Sequence, residues 1–389
     1  MQKIKKSRIK AFISFIVTTI ITLFRFITSL FYRSFACAFH FFRVCPIRPN
    51  KIVLFAPHRV RESLDCVVNE LIQRGKTVYI TPAQKRSPRL LLLQAYHFAT
   101  ASAVLLNDNF MPLGSLRFSK KTKIVQIWHA EGALKRFGLS LDLPQAVREC
   151  VRKAGAKYDA VVCSSPRVAP FYAEAFGVPL SVVLPLGAPR LDVLCHGFSK
   201  QKAREAFELQ FPQTKNKRII LYAPTLRDNP KADAALLENF RFDQFQARFG
   251  ANTILLVRVH PRSAAKIPSE THGVIDCAKY SDTIKLLAAC DALITDYSSI
   301  CLDAAVLDVP VFLYCFDLDA YKTERDFYVD FSVSAPCEIT VRFADLLDEL
   351  AKPDVNQSKR AAFAAYHIGT LDGGASKRIA DFLTEDKQG

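Results

Sequence analysis

The chain has 389 residues, half of them hydrophobic, and a formal net charge of +16. This length is too great for one compact core and suits two domains of ordinary size, with enough apolar residues for two buried sheets. The eleven cysteines are scattered, odd in number and without a C-x-x-C pair. This usage argues against a disulfide framework or a zinc site and for a reducing, cytosolic compartment.

The positive charge is concentrated in an N-terminal arm, residues 1–48. Twelve basic residues lie between Met1 and Arg61, and no acidic residue precedes Glu62. Polar residues recur in the arm at helical steps, between phenylalanines, isoleucines and leucines, at positions 14, 18, 22, 25, 29, 33 and 40. This spacing predicts a basic amphipathic helix that lies on the anionic cytoplasmic face of the cell membrane as a peripheral anchor.

Two other interpretations of the arm are a membrane-spanning segment that contains Arg25 and a helix that packs on the protein itself. A basic arm can also bind nucleic acid. Here its neighbours are aliphatic and aromatic, and the chain contains no recognised RNA or DNA module, so no nucleic-acid partner is expected.

Beyond the arm, short apolar runs alternate with helical patterns. The first series comprises, in chain order, strand 51–57, helix 61–75, strand 77–81, helix 89–100, strands 103–106 and 123–129, helix 144–154, and strands 160–164 and 182–186. The second series comprises a polar helix at 198–211 and strands at 218–223, 253–260, 273–277, 292–295 and 310–314. Strands that are apolar along their whole length indicate parallel sheets covered on both faces.

The break between the two series predicts an α/β fold of two doubly wound, Rossmann-like domains, residues 49–200 and 201–389, which face a cleft. Ligands in such sheets lie outside the carboxyl ends of the strands. The chain has only 14 glycines and no G-x-G-x-x-G fingerprint. A dinucleotide cofactor therefore has little support, and no cofactor is expected.

Two histidines lie at the carboxyl ends of predicted strands and are candidates for the chemistry. His129 ends the strand 123–129 beside the only tryptophan of the chain, and Lys135 follows in the next loop. A histidine at such a place can act as a general base toward a hydroxyl, although it can also simply cap a loop. His260 stands between Arg258 and Arg262, and these three side chains can neutralise a diphosphate, unless they form only a solvated strand end.

The turn from Asp296 to Ser299 leads from a buried strand into a helix. Exposed N–H groups and the positive end of the helix dipole favour an anion at a helix start, so Ser298 and Ser299 are predicted to hold phosphate. The alternative is an ordinary N-cap, because serine and aspartate are the usual capping residues. Since all three candidate sites follow strands, the chain is predicted to act on a phosphorylated or nucleotide-activated small molecule.

Six segments occur in a fixed order between about residues 120 and 335. They are QIWHAEGALKRFG (126–138), GAPRLD (187–192), YAPTLRD (222–228), RVHPR (258–262), DALITDYSSICLDAAVLDVPVFLYCFDLDAY (291–321) and ERDFYVDF (324–331). In this series the chain resembles the CDP-glycerol:poly(glycerophosphate) glycerophosphotransferases, the family of the teichoic-acid primases and polymerases. The long segment around Asp296 is the most specific of the six.

The resemblance implies a GT-B-like fold in which the domain 49–200 is the acceptor side and the domain 201–389 binds the CDP-activated donor. It implies transfer of a polyol phosphate, with glycerol phosphate expected first, from CDP-glycerol or a related CDP-polyol to a hydroxyl of a lipid-linked acceptor, with release of CMP, in teichoic-acid or capsule-like polymer synthesis. The motif histidines fall on His129, as base for the acceptor, and on His260, at the donor diphosphate. The remaining substrate-binding assignments are Lys135, Thr225, Arg258, Arg262, Asp296, Ser298 and Ser299.

The chain departs from the family pattern at two places. Ala130 and Glu131 stand where members commonly have glycine, often followed by threonine, and Asp326 stands where the late element has the glycine of Arg-Gly-Phe-Tyr. Both places border the predicted cleft. Two other functions remain open: a GT-B glycosyltransferase that uses a nucleotide sugar in cell-surface polysaccharide synthesis, and a non-catalytic membrane protein of polymer assembly.

Overall fold

The computed structural model describes residues 29–56, 64–81, 87–263, 265–268, 271–324 and 326–385. Within them the chain forms two six-stranded sheets whose strands all run parallel. The α/β fold with two doubly wound sheets is therefore confirmed. Parallel pairing follows from the apolar runs, because a parallel sheet is covered by helices on both faces.

The first sheet has the strand order β2-β1-β3-β4-β5-β6. Its strands and the helices between them are α1 (29–42), β1 (Arg48–Phe55), α2 (Asp65–Gln73), β2 (Thr77–Ile80), α3 (Pro88–Ala99), β3 (Ala101–Leu106), β4 (Lys123–Gln126), α4 (Gln145–Gly155), β5 (Ala160–Val162), α5 (Ala169–Phe176) and β6 (Val183–Leu184). The strand β1 begins three residues earlier than the sequence predicts, because Arg48 still pairs with Ala101 across a register shift. The predicted start of the helix 61–75 lies partly outside the described residues.

The second sheet has the order β12-β11-β10-β7-β8-β9. Its elements are α6 (Lys200–Gln210), β7 (Arg218–Tyr222), α7 (Pro230–Glu238), α8 (Phe242–Phe249), β8 (Thr253–Val257), β9 (Val274–Asp276), α9 (Thr283–Ala288), β10 (Ala292–Thr295), α10 (Ile300–Val306), β11 (Val311–Tyr314), α11 (Leu318–Glu324), α12 (Phe331–Ser334), β12 (Ile339–Thr340), α13 (Phe343–Ala351), α14 (Gln357–His367) and α15 (Ala375–Thr384). The strand β8 ends at Val257 and not at His260. His260 therefore lies in the loop that follows the strand.

The last helix returns to the first sheet. Ile379, Ala380 and Leu383 of α15 are buried in the cluster that also contains α2 and one face of the first sheet. Asp192 caps this helix, since its carboxylate accepts hydrogen bonds from the backbone N–H groups of Ala375 (3.2 Å) and Ser376 (2.7 Å). The predicted boundaries 48/49 and 200/201 stay predictions.

The described part of the N-terminal arm is residues 29–48, of which α1 comprises 29–42, and residues 1–28 lie outside the described residues. Phe35, Ala38 and Phe39 of α1 are buried against the first domain, where Phe35 makes an edge contact with Phe98 at 5.8 Å. The other side of the arm leaves Leu30, Phe41 and Val44 exposed, at 54%, 71% and 85%. Among the described helices, none is both long enough and apolar enough to cross a membrane.

Candidate functional site

The loop after β4 carries the first predicted histidine. Trp128 adopts a positive φ of 60°, and its backbone N–H donates to Oε1 of Gln126 (2.8 Å). This turn brings the imidazole of His129 to 4.0 Å from the indole, measured between ring centres. The Nδ1 atom of His129 lies 3.2 Å from the carbonyl oxygen of Asn107. A carbonyl can only accept, so Nδ1 carries the proton and Nε2 of the neutral ring is left as the basic nitrogen.

His129 lines an open pocket on the first domain. The neighbouring walls come from the loop itself, the end of β5, α5 and the segment after β6, and include Trp128, Glu131, Ser164, Tyr172 and Gly187. The side chain of His129 is 39% exposed, so a ligand in the pocket can reach it. The pocket is a candidate site for the group that the histidine would deprotonate.

His367, for which the sequence predicts no role, contacts the loop that follows His129. His367 at the end of α14 is completely buried, and its Nδ1 accepts a hydrogen bond from the backbone N–H of Ala133 (3.3 Å). Burial lowers the pKa of His367 to about 4, so the ring is neutral at physiological pH. Gly132 has a φ of +68°, and a Cβ there would lie 2.9 Å from the Cβ of His367. No motif in the sequence indicates this role of His367.

The second predicted histidine follows β8. The Nδ1 atom of His260 accepts a hydrogen bond from the backbone N–H of Arg262 (3.1 Å). Burial, then the charges of Arg262 and Arg258, lower the pKa of His260. Nε of Arg258 is buried and has no hydrogen-bond partner among the described residues, and burial lowers the pKa of this guanidinium. A bound anion would supply the missing acceptor and oppose both effects.

The carboxylate of Asp296, in the predicted phosphate turn, forms its hydrogen bonds with other groups of the protein. Its carboxylate accepts hydrogen bonds from the backbone N–H groups of Thr225 (2.9 Å) and Tyr297 (2.6 Å) and from the guanidinium of Arg227 (2.9 Å). These hydrogen bonds stabilise the conformation of the turn. Ser298 is half-buried and Ser299 is exposed, directly before α10. The two serines therefore remain the members of the turn that a ligand can reach.

Arg227 was not predicted as a site residue, although it stands in the YAPTLRD segment. Its guanidinium donates to both carboxylate oxygens of Asp317 (2.8 and 2.9 Å) and lies 5.2 and 5.0 Å from the ring centres of Tyr297 and Tyr321. Burial alone would lower the pKa of Arg227, but the carboxylates of Asp317 and Asp296 raise it overall. The residue is a buried, permanently charged support beneath the turn.

The structure brings Lys135 to Thr225, across from one domain to the other. Nζ of Lys135 lies 3.5 Å from Oγ1 of Thr225 and 5.3 Å from the ring centre of Tyr321. The two predicted histidines, in contrast, share no hydrogen bond. Arg190 connects the loop of His129 to α10 instead, because its guanidinium binds both Glu131, two residues after His129, and Asp303 of α10.

Comparison with known proteins gives a consistent picture. The sequence profile of the CDP-glycerol:poly(glycerophosphate) glycerophosphotransferases matches residues 67–385. A teichoic acid poly(ribitol-phosphate) polymerase of Bacillus spizizenii is 32% identical over 370 residues, which are 92% of this chain but 60% of that protein. A ribitol-phosphate primase of the same organism is 30% identical, with 87% of this chain and 92% of that protein covered. A glycerol-phosphate primase of Bacillus subtilis is 29% identical over 77% and 78% of the two chains.

Solved structures agree on the fold. The wall teichoic acid polymerase TagF superposes with a TM-score of 0.76 at 22% identity, with 94% of this chain and 97% of the other covered. A UDP-GlcNAc 2-epimerase from Neisseria meningitidis superposes with a TM-score of 0.59 at 16% identity, over 86% and 99% of the chains. These likenesses confirm the predicted GT-B-like arrangement of two domains.

Proposed function

Since the chain belongs to the CDP-glycerol:poly(glycerophosphate) glycerophosphotransferase family, we propose that it transfers a polyol phosphate from a CDP-activated donor to a hydroxyl of a lipid-linked acceptor and releases CMP. Its relatives are named as glycerol-phosphate and ribitol-phosphate primases and polymerases, and the chain spans 60% of the first of them and 92% of the second. The observation that carries the proposal on this chain is the pocket histidine, His129, whose Nε2 is left free to accept a proton.

On the acceptor side, Nε2 of His129 takes the proton of the attacking hydroxyl. The hydroxyl oxygen forms a bond to the β-phosphorus of the donor, and the bond from that phosphorus to the oxygen of CMP breaks. The hydrogen bond from Nδ1 to the carbonyl of Asn107 holds the ring in the correct tautomer and stabilises the imidazolium that forms. Because the acceptor oxygen attacks phosphorus directly, no covalent enzyme intermediate is required.

On the donor side, the chemistry needs positive charge around a diphosphate. Arg258, His260 and Arg262 supply it, and Ser298 and Ser299 add hydroxyl and N–H donors. The support for this assignment is the buried Nε of Arg258, which has no acceptor within the described part of the chain. The pKa of His260 is lowered in the protein without a ligand, and the negative charge of a bound diphosphate would raise this pKa.

The donor is tested by incubating the purified full-length protein with CDP-glycerol, CDP-ribitol or UDP-GlcNAc, each with a lipid-linked acceptor, and by following nucleotide release chromatographically. The proposal predicts CMP from one or both CDP-polyols. Release of UDP from UDP-GlcNAc, with no CMP from either polyol donor, would instead support a glycosyltransferase. The same experiment decides between glycerol phosphate and ribitol phosphate as the transferred group, since some relatives are named for one and some for the other.

We further propose that the arm attaches the protein to the anionic cytoplasmic surface of the membrane, where the lipid-linked acceptor resides. The exposed side of the arm carries Leu30, Phe41 and Val44, and Arg33 and Arg43 are exposed beside them. Apolar side chains next to cations suit the boundary between headgroups and acyl chains.

Binding to the membrane is measured by sedimentation with vesicles of phosphatidylglycerol or of phosphatidylcholine alone. Removing residues 1–28 leaves the buried Phe35 and Phe39 in place, so the shortened protein can be compared with a second variant, Phe41→Asp in the full chain. Both variants are expected to lose binding to the anionic vesicles. Undiminished sedimentation of both would contradict the attachment through the arm.

A further inference from the structure

The loop 130–137, which follows the proposed base His129, is fastened to the second domain at two separate points. At the first point, Arg190 donates to both carboxylate oxygens of Glu131 (2.9 and 2.7 Å). The same guanidinium donates to both oxygens of Asp303 on α10 (3.3 and 2.6 Å). One arginine therefore joins the loop 130–137 to α10, the helix that begins after Ser298 and Ser299.

The three charges of this first point are largely removed from water. The side chains of Glu131, Arg190 and Asp303 are 17%, 23% and 8% exposed. Burial alone would lower the pKa of Arg190, but the two carboxylates raise it well above its ordinary value. Because a buried guanidinium fork fixes the direction as well as the distance of its partners, it holds the loop and the helix in one relative position.

The second point lies at the other end of the loop. The backbone N–H of Arg136 donates to the carbonyl of Asp326 (3.0 Å), and the N–H of Tyr328 donates to the carbonyl of Leu134 (3.2 Å). This short antiparallel pairing crosses from one domain to the other. The guanidinium of Arg136 also forms an ion pair of 3.2 Å with the carboxylate of Asp326.

Each of the two points contains a carboxylate that an arginine binds. Glu131 pairs with Arg190, and Asp326 pairs with Arg136. A side chain without a carboxylate could not accept from an arginine in the same way. Each of the two carboxylates therefore adds a charged attachment to the loop that begins at His129.

We propose that Glu131 and Asp326 are positioning residues of this enzyme, which act through Arg190 and Arg136 to hold the His129 loop against the donor-binding domain. The inference rests on the proposed function, because it takes His129 as the base and the second domain as the donor side. Held in this way, Nε2 of His129 stays at the distance from the donor phosphorus that the attack requires. The two residues then affect the chemical step more than the binding of the donor.

The kinetic test uses Glu131→Gln, Asp326→Asn and the double variant, with CDP-polyol and a lipid-linked acceptor. Both substitutions keep the shape of the side chain, and Asp326→Asn retains the oxygen that accepts from the N–H of Phe327. We expect kcat to fall about tenfold for Glu131→Gln and about threefold for Asp326→Asn, with the KM for the donor unchanged within about twofold. Glu338→Gln, which removes an exposed ion pair with Lys359, is the matched control and should leave both constants unchanged.

A second measurement does not depend on activity. Hydrogen exchange of the backbone N–H groups of Arg136 and Tyr328 reports directly on the pairing between the domains. We expect exchange at both to be at least about tenfold faster in the double variant than in the wild type or in Glu338→Gln.

The two failures are distinguishable. A wild-type protein that releases no CMP overturns the proposed function, and the exchange measurement then still decides whether the two carboxylates hold the loop. Unchanged exchange in the double variant overturns the positioning role, whatever the activity. Faster exchange with an unchanged kcat overturns it as well, because the attachment would then be irrelevant to the reaction.

Discussion

Asp296 and Arg227 form an ion pair of 2.9 Å in which the two side chains are only 3% and 2% exposed. The aspartate comes from the most specific segment of the family resemblance, where a direct contact with phosphate is the obvious expectation. Its oxygens also accept from the N–H groups of Thr225 and Tyr297. These contacts hold the turn that contains Ser298 and Ser299.

The first prediction concerns this pair. Asp296→Asn leaves the guanidinium of Arg227 with one buried partner fewer, and removing one partner of a buried ion pair is strongly destabilising. We expect the free energy of unfolding to fall by about 3–5 kcal/mol, measured by urea denaturation. Asp243→Asn is the control, because its pair with Arg241 is exposed and such pairs are worth about 1 kcal/mol or less. Equal stability of the two variants would rule out a structural role for Asp296.

The second prediction concerns the two motif histidines. His129→Ala and His260→Ala are each expected to lower turnover at least about tenfold, because one removes the proposed base and the other a donor to the diphosphate. The melting temperature should stay close to that of the wild type, since both side chains reach solvent. His272→Ala changes an exposed histidine of the second domain and should retain full activity. Near-normal turnover in both motif variants would remove the site assignment.

The third prediction concerns acid stability. His367 has its pKa lowered from 6.5 to about 4 in the folded protein by burial, so the unfolded chain binds a proton at higher pH than the folded one does. The stability that His367 contributes is therefore complete above about pH 6.5 and is lost as the pH falls toward 4, by on the order of 3 kcal/mol.

The measurement is the free energy of unfolding of the wild type and of His367→Gln between pH 7.5 and 4.5. The variant should lose less stability over this range than the wild type. It will not be insensitive to acid, because burial also lowers the pKa of His97 to about 4. Identical losses in the two proteins would mean that His367 is protonated as easily in the fold as outside it.

The fourth prediction concerns Tyr328, which anchors the second domain in the first. Its ring stacks on Phe171 with centres 4.6 Å apart, and its hydroxyl lies 2.9 Å from Oγ of Ser140. Tyr328→Ala should lower the free energy of unfolding by about 3 kcal/mol, whereas Tyr328→Phe keeps the stack and should lose only about 1 kcal/mol. Urea denaturation separates the two cases. Equal losses would assign the anchoring to the hydroxyl and not to the ring.

Much of the fold could be predicted from local pattern. The apolar runs that became β1, β7, β8, β10 and β11 are buried on both faces, and such runs pair in parallel wherever helices separate them. The return of α15 to the first sheet could not be predicted in this way. It depends on contacts between residues far apart in sequence, such as Arg74 with Asp381 and Lys123 with the carbonyl of Phe382.

Part of the candidate site could likewise be predicted from the sequence, and part of it could not. The residues that follow strands, His129 and His260, could be located from the sequence, because the carboxyl ends of parallel strands are where such sites form. The connection through Arg190 could not, because its partners Glu131 and Asp303 lie 59 and 113 residues away. The position of Asp296 was evident, but only the structure reveals that its oxygens face inward.

The proposed transfer is tested best by following the transferred group itself. The full-length protein is incubated with CDP-polyol and a lipid-linked acceptor, and CMP and the acceptor mass are measured in the same samples, with His129→Ala in parallel. We expect each CMP released to be matched by one polyol-phosphate increment on the acceptor, and both to fall together in the variant. CMP release without any gain in acceptor mass, or an equal gain with His129→Ala, would contradict it.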